Sequence, residues 1–185
     1  MLEEVYRETE EKMKKTCELF RKDLASMRAG RASPAVLEKI TVDYYGVSTP
    51  LTQLATVTVP EPRLMIIQPW DKTQLKAMEK AILKSELGIT PVSDGVVIRL
   101  VFPQLTQERR LELVRQARRM AEEEKVAIRN LRREAMEMAR DLKDEGEITE
   151  DDCRRAQEHV QKMTDKYVGE IDRILAAKEK EVMEV

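Results

Sequence analysis

One expected helical stretch, residues 126–134, carries the residue types best suited to chemistry in this chain. Its apolar residues follow one helical face, and its arginines crowd onto a neighbouring face. A guanidinium is always charged and presents a planar fork of donors that fits a phosphate group. Several guanidiniums in line on a stiff helix can grip a nucleic-acid backbone. The stretch therefore predicts RNA binding rather than the making or breaking of bonds.

The basic residues around this stretch share one side of the expected helix. At about 100° per residue, six of them lie in roughly the same direction, about a third of a turn from the apolar stripe. They are Arg115, Arg118, Lys125, Arg129, Arg132 and Arg133. The preference for arginine over lysine favours phosphate recognition. The spacing equally allows a solvated flank, with Glu122 paired to Arg129 and Arg133 paired to Glu137.

The charge of the chain is balanced overall but polarised locally. There are 33 Lys+Arg against 35 Asp+Glu, a formal net charge of -2. This balance argues against an indiscriminate polyanion binder. Between Thr106 and Arg133, however, nine basic residues stand against five acidic ones, and the balance reverses afterwards. RNA binding is therefore expected from one segment and not from the chain as a whole.

The remaining reactive residue types indicate neither an enzyme nor a metal site. Cys17 and Cys153 fall on apolar helical faces, so we expect buried thiols, which suit a reducing cytosol. His159 has no second histidine or cysteine at ligand spacing, so no metal or cofactor is expected. The charged start, residues 2–11, argues against a leader peptide. No apolar run reaches membrane-spanning length, and we expect a cytoplasmic protein.

Three long segments have helical apolar spacing. The first covers residues 2–29 and can end at Gly30, a typical residue after a helix C-terminus. The second covers residues 106–145, a rod about 60 Å long at about 1.5 Å per residue. Gly146 interrupts the pattern. The third helix follows Thr149, which begins a sequence resembling a capping box.

Residues 30–103 differ in texture, with short apolar stretches separated by proline and glycine. Alternation predicts strands at 40–44 and 55–59, and apolar stretches closed by Pro69 and Pro103 predict strands at 64–67 and 96–102. A helical turn is expected at 34–38, and a helix is expected from a cap at Asp71 to Gly88. Trp70 is expected to pack at the junction of strand and helix. This segment therefore predicts a compact β/α/β domain.

Three helices with one apolar stripe each can bury those stripes only against one another. We therefore expect the α+β class, with residues 1–29 and 106–185 forming a discontinuous three-helix bundle. Residues 30–105 form the inserted domain. Two short linkers make inter-domain motion the default expectation, with hinges near 29–32 and 104–106. The hinge residues are Gly30, Arg31, Ala32, Gln104, Leu105 and Thr106.

Five strings of the sequence occur together in one known family. They are MRAGRASP at 27–34, VDYYG at 42–46, QLA at 53–55, LTQERR at 105–110 and VAIRNLRR at 126–133. With these strings the chain resembles the bacterial ribosome recycling factors over essentially its whole length. Departures are small: the string SELGITP at 85–91 differs from the family's usual form, and Gln107 stands where glutamate is common.

The resemblance implies an L-shaped, two-domain monomer without a catalytic site. It also implies binding to the large ribosomal subunit after termination, where arginines of the bundle contact ribosomal RNA. With elongation factor G and GTP, such a protein splits the ribosome and releases messenger RNA and tRNA. The rRNA-binding residues that the resemblance implies are Arg132, Arg129, Arg28, Arg31, Arg133 and Arg110. They would act as phosphate clamps that position the protein without reading sequence.

Three other functions remain as alternatives. A general RNA-binding protein or RNA chaperone would bind many RNAs and would not need elongation factor G. A structural coiled-coil protein would continue its heptads over long stretches, whereas an inserted domain interrupts this pattern. An enzyme would need a constellation such as paired carboxylates or Cys/His, and the sequence suggests none.

Overall fold

The structure, a computed structural model, describes residues 1–27 and 32–184. In chain order, the helices are α1 (Leu2–Ala25), α2 (Leu75–Lys84), α3 (Gln107–Asp144) and α4 (Glu150–Met183). The strands are β1 (Thr41–Tyr44), β2 (Val47–Pro50), β3 (Ala55–Glu61), β4 (Leu64–Pro69), β5 (Val92–Ser93) and β6 (Ile98–Val101). These long helices and short strands confirm the predicted α+β class.

Contacts divide the chain into two compact units. The helical unit comprises Met1–Leu24 and Glu112–Val185, and the β-rich unit comprises Ala25–Leu111. The β-rich unit is therefore inserted between the first helix and the last two. The first residues of α3, up to Leu111, are grouped with the β-rich unit.

The ends of the long helices follow from local chemistry. α1 ends at Ala25, four residues before its expected end, because the chain turns at the next two residues. Gly30, which was expected to follow this helix, lies outside the described residues. Gly146 follows α3 with φ 78°, a conformation that glycine adopts without strain. Thr149 and Asp152 form the predicted capping box, each side chain accepting from the other's backbone N–H.

In the helical unit, α4 runs parallel to α1 and antiparallel to α3. The ring centroid of Tyr6 lies 4.0 Å from that of His159, and Arg21 pairs with Glu170 at 3.0 Å. Residue numbers therefore increase in the same direction along α1 and α4. Along α3 the order of contacts with α4 is reversed, since Arg118 contacts Glu179 whereas Arg132 contacts Gln161. This is the antiparallel packing expected for α3 and α4, which a short turn joins.

α3 contributes small residues to the bundle core, and α1 contributes large ones. The buried alanines of α3 are Ala117, Ala121, Ala135 and Ala139, and the fully buried large residues of α1 include Met13 and Phe20. Alanine lets helices approach closely, while the larger side chains fill the space between them. With these alanines buried, Arg118, Lys125 and Arg132 lie where α3 meets α4.

The β-rich unit contains a four-stranded antiparallel sheet and a separate hairpin. The sheet has the order β3-β4-β6-β5, and β1 pairs with β2. The core of the β-rich unit is formed by buried apolar residues of the strands and α2, among them Met65, Ile67, Met78 and Leu100, and by Phe102, which follows β6. The hairpin turns at Tyr45 and Gly46, both with positive φ, which is the conformation of a type I′ turn.

The expectation that Trp70 packs at a strand–helix junction is wrong. Its side chain is 69% exposed. Side chains alternate along β4, and Pro69 is buried, so the residue that follows it points outward. The indole N–H of Trp70 donates to Thr56 Oγ1 at 2.9 Å. The ring is therefore held at the surface rather than in the core.

Candidate nucleic-acid interface

Three basic residues of α3 meet α4 at intervals of seven residues. Seven residues are close to two helical turns, so Arg118, Lys125 and Arg132 lie on one line along α3. The α4 residues that face them descend in number as the α3 residues ascend: Glu179, Asp172 and Gln161. The three pairs form a ladder between the helices, which we call the α3–α4 ladder.

The first two pairs of the α3–α4 ladder are ion pairs. Arg118 Nε lies 2.6 Å from Glu179 Oε1, and Lys125 Nζ lies 2.5 Å from Asp172 Oδ1. The hydrogen bond that Arg118 donates to Glu179 raises the pKa of Arg118, and the one that Lys125 donates to Asp172 raises the pKa of Lys125. Both cations are therefore matched by a carboxylate of the same bundle. For these two residues the interpretation as a paired helix flank is correct.

The third pair of the ladder differs in charge. Arg132 donates from Nη1 to Oε1 of Gln161 at 3.4 Å, and a neutral amide cannot cancel its charge. The amide nitrogen of Gln161 donates in turn to Asp165 Oδ1 at 2.9 Å. Within residues 1–27 and 32–184, no carboxylate pairs with Arg132. Its guanidinium is half-buried, positioned by a neighbour and available to an external anion.

Arg129 and Arg133 lie beside Arg132 on α3 and add two further positive charges. Both are exposed, and neither has an ion-pair partner in the part of the chain that the structure describes. The pairs considered from sequence, with Glu122 and Glu137, do not form; Glu122 instead lies 3.4 Å from Lys125 Nζ. Residues three and four apart are neighbours on a helix surface. Arg129, Arg132 and Arg133 therefore form one patch, which we call the arginine surface.

Arg110 does not belong to the arginine surface. It lies 22 positions before Arg132 on α3, about 33 Å away along the helix axis. Its side chain is only 8% exposed, and its Nε is buried without a hydrogen-bond partner among the described residues. A buried guanidinium cannot reach a phosphate on an RNA surface unless it first moves outward.

The other expected site residues lie in the linkers. Arg28, Gly30 and Arg31 are outside the described residues. Ala32 N donates to Pro62 O at 2.7 Å, and Leu105 is buried. Gln104 is exposed, and Thr106 Oγ1 accepts from Arg109 N at 3.1 Å at the start of α3. Sequence reasoning did not identify Gln161, because its place opposite Arg132 depends on the register between α3 and α4.

Neither reactive side chains nor a membrane segment suggests another kind of site. Cys17 and Cys153 are buried, as predicted, and burial raises the pKa of the Cys17 thiol to about 11. Among the described residues, no three His, Cys, Asp or Glu side chains are grouped as metal ligands. In that part of the chain, no helix is both long enough and apolar enough to cross a bilayer. The arginine surface is therefore the site that the chemistry of this protein points to.

Comparisons of sequence agree on one family. The family model described as "Ribosome recycling factor" matches residues 20–183. The ribosome-recycling factor of Heliobacterium modesticaldum is 60% identical over 185 residues, all of both chains. That of Syntrophomonas wolfei subsp. wolfei is 58% identical over 185 residues, again all of both chains.

Solved structures of this family are also similar. A solution structure of a ribosome recycling factor has a TM-score of 0.81 and 46% identity, covering 100% of this chain and 98% of that one. A second belongs to models for the T. thermophilus ribosome recycling factor and the E. coli elongation factor G bound to the E. coli post-termination complex. Its TM-score is 0.68 and its identity 44%, with 100% of both chains covered.

Proposed function

The chain belongs to the ribosome recycling factor family, as its sequence strings predicted, and we propose that its arginine surface anchors it to ribosomal RNA. Its function is ribosome recycling after translation termination. The observation that carries the proposed anchor is the third pair of the α3–α4 ladder. There Arg132 faces the neutral Gln161, whereas the two preceding cations face carboxylates.

An anchor of this kind suits a surface made of phosphates. Guanidinium–phosphate contacts position a protein on a nucleic acid without reading its sequence. The three arginines lie on a helix of 38 residues, about 57 Å long, that is packed against two others. Force applied elsewhere on such a rod is transmitted to the anchored face rather than absorbed by bending. The arginine surface thus holds the large subunit while the protein acts mechanically.

Elongation factor G supplies the driving reaction in this proposal. The similar structure bound to a post-termination complex accompanies that GTPase, and we extend the partnership to this chain. GTP hydrolysis belongs to the elongation factor, so this chain acts as a translation factor and not as an enzyme, and requires no cofactor. Its place of action is the cytoplasm, where ribosomes work. Splitting releases messenger RNA and tRNA.

The test is the splitting of post-termination ribosomes into subunits, followed by light scattering. We expect scattering to fall only when this protein, elongation factor G and GTP are all present. Omission of any one should leave the signal unchanged. Splitting that proceeds without elongation factor G would contradict the proposed mechanism. Binding of the protein to many unrelated RNAs, with no splitting at all, would favour the RNA-chaperone alternative.

We also propose hinges near residues 29–32 and 104–106, because two compact units joined by two short linkers move relative to each other by default. Exposed positions in each unit, Glu11 and Thr90, can be replaced by cysteine and labelled, since both native thiols are buried. Single-molecule energy transfer between the labels should then reveal more than one distance. One narrow distribution, on and off the ribosome, would contradict the hinge.

A further inference from the structure

A row of lysines lies along α2 in the β-rich unit. Lys72 lies in the 3-10 turn before α2, and the row continues at Lys76, Lys80 and Lys84. Residues four apart share one side of a helix and lie about 6 Å apart along its axis. All four side chains are exposed, and within the described residues none has an ion-pair partner. We call this row the lysine ridge.

An exposed aromatic ring lies at the beginning of the lysine ridge. Trp70 precedes Lys72 by two residues and is 69% exposed. Its indole N–H donates to Thr56 Oγ1, and this hydrogen bond holds the edge of the ring in place. The exposed π-face can then contact a ligand. An exposed, oriented indole beside a row of cations is the combination that single-stranded nucleic acids bind, with bases stacking on the ring.

Asp71, the acidic residue between Trp70 and Lys72, already accepts hydrogen bonds from its neighbours. Asp71 accepts from the backbone N–H of Thr73 at 3.0 Å and from its hydroxyl at 2.6 Å, and from the hydroxyl of Tyr45 at 3.4 Å. These bonds lower the pKa of Asp71, the side-chain bond from Thr73 most, so its negative charge remains near Lys72. Lys76, Lys80 and Lys84 lie further along α2 than Lys72, and so further from the negative charge of Asp71.

We propose that the lysine ridge and Trp70 form a second RNA-binding site, for an unpaired RNA segment. The phosphates lie along Lys76, Lys80 and Lys84, and one base stacks on Trp70. Lysine ammonium groups act as point charges that follow a flexible backbone, whereas the arginine surface presents planar forks. The whole chain has a formal net charge of -2, so the ridge concentrates charge locally. This site is independent of the proposed anchor on α3.

The experiment uses a short oligouridylate and the full chain. Trp70 is the single tryptophan of the sequence, so its intrinsic fluorescence reports binding at this site without a label. We expect quenching that saturates together with the anisotropy of labelled RNA. Replacing Trp70 by alanine should lower the affinity by about tenfold, because one stacked base is lost, without changing its salt dependence.

Charge substitutions separate the ridge from general electrostatics. The triple variant Lys76→Gln, Lys80→Gln and Lys84→Gln should lower the slope of log affinity against log salt by about 2, at about 0.7 per phosphate contact. The matched control removes three exposed lysines of α1: Lys12→Gln, Lys14→Gln and Lys15→Gln. The control triple should keep most of the slope. Equal losses in the two triples would overturn the proposal.

Two further outcomes would also overturn it. Saturated RNA binding without any change in Trp70 fluorescence would place the RNA elsewhere. Poly-L-glutamate that binds with the same dependence on the ridge lysines, and quenches equally, would identify an acidic protein partner instead.

An Arg129→Gln, Arg132→Gln variant should keep the quenching, because the two sites are separate. Its behaviour on ribosomes therefore tests the anchor, and the ridge can fail without affecting that result.

Discussion

Replacing Arg132 by glutamine is expected to weaken binding to the large ribosomal subunit by roughly tenfold to a hundredfold. Hydrogen bonds that involve a charged group contribute about 1.5–3 kcal/mol, and this residue would contribute a charge-assisted contact to phosphate. The guanidinium is already oriented by Gln161, so little ordering cost offsets the contact. Titration of labelled protein with large subunits at several salt concentrations measures both the affinity and its slope, which should fall by about 1.

Arg118→Gln is the matched control for this prediction. It removes the same charge from the same line of α3, two heptads away, but Arg118 is committed to Glu179. We expect its affinity for large subunits to stay within about twofold of the unsubstituted protein, because the guanidinium is already paired with Glu179. The free energy of unfolding should also change little, since exposed ion pairs contribute little to stability. Arg132→Lys should be intermediate because it keeps the charge and loses the fork. Equal losses in Arg118→Gln and Arg132→Gln would contradict the distinction between them.

Phe102→Ala is expected to destabilise the β-rich unit by about 3–5 kcal/mol. Phe102 is completely buried in the core of that unit, and truncation of a buried phenylalanine removes apolar burial and leaves a cavity. Native-state hydrogen exchange, read amide by amide, measures the loss. Protection should collapse in β4 and β6 and persist around Phe20 and Ile128, because those residues belong to the helical unit.

Val101→Ala is the corresponding control, one residue away in the same segment. Its side chain is 63% exposed, and surface substitutions usually change stability by less than about 0.5 kcal/mol. Exchange should therefore remain close to that of the unsubstituted protein. A uniform loss of protection throughout both units in Phe102→Ala would contradict two separate cores.

The helices could be predicted from sequence because their signals are local. Apolar residues at intervals of three and four define the buried stripes of α1, α3 and α4, and Thr149 with Asp152 identifies the start of α4. β2 and β5 were not predicted, since Val47–Pro50 and Val92–Ser93 lack an alternating apolar pattern. These two strands form by pairing with β1 and β6, which local sequence does not reveal.

The candidate site was predictable only in part, for a related reason. The basic character of α3 is visible in the sequence, and so is the spacing of Arg118, Lys125 and Arg132. Which of these charges remains available depends on the register between α3 and α4, because the register determines whether a carboxylate or Gln161 stands opposite. Trp70 illustrates the same limit: its apolar type suggested burial, but the alternation along β4 turns it to solvent.

The most direct test of the proposed anchor is the ribosome-splitting assay with the two arginine variants side by side. Post-termination ribosomes, elongation factor G and GTP are held constant, and light scattering follows the subunits as they separate. The α3–α4 ladder predicts that splitting persists with Arg118→Gln and is largely lost with Arg132→Gln, while circular dichroism shows both variants folded. Full splitting by Arg132→Gln would contradict the anchor and would leave the recycling function to depend on another surface.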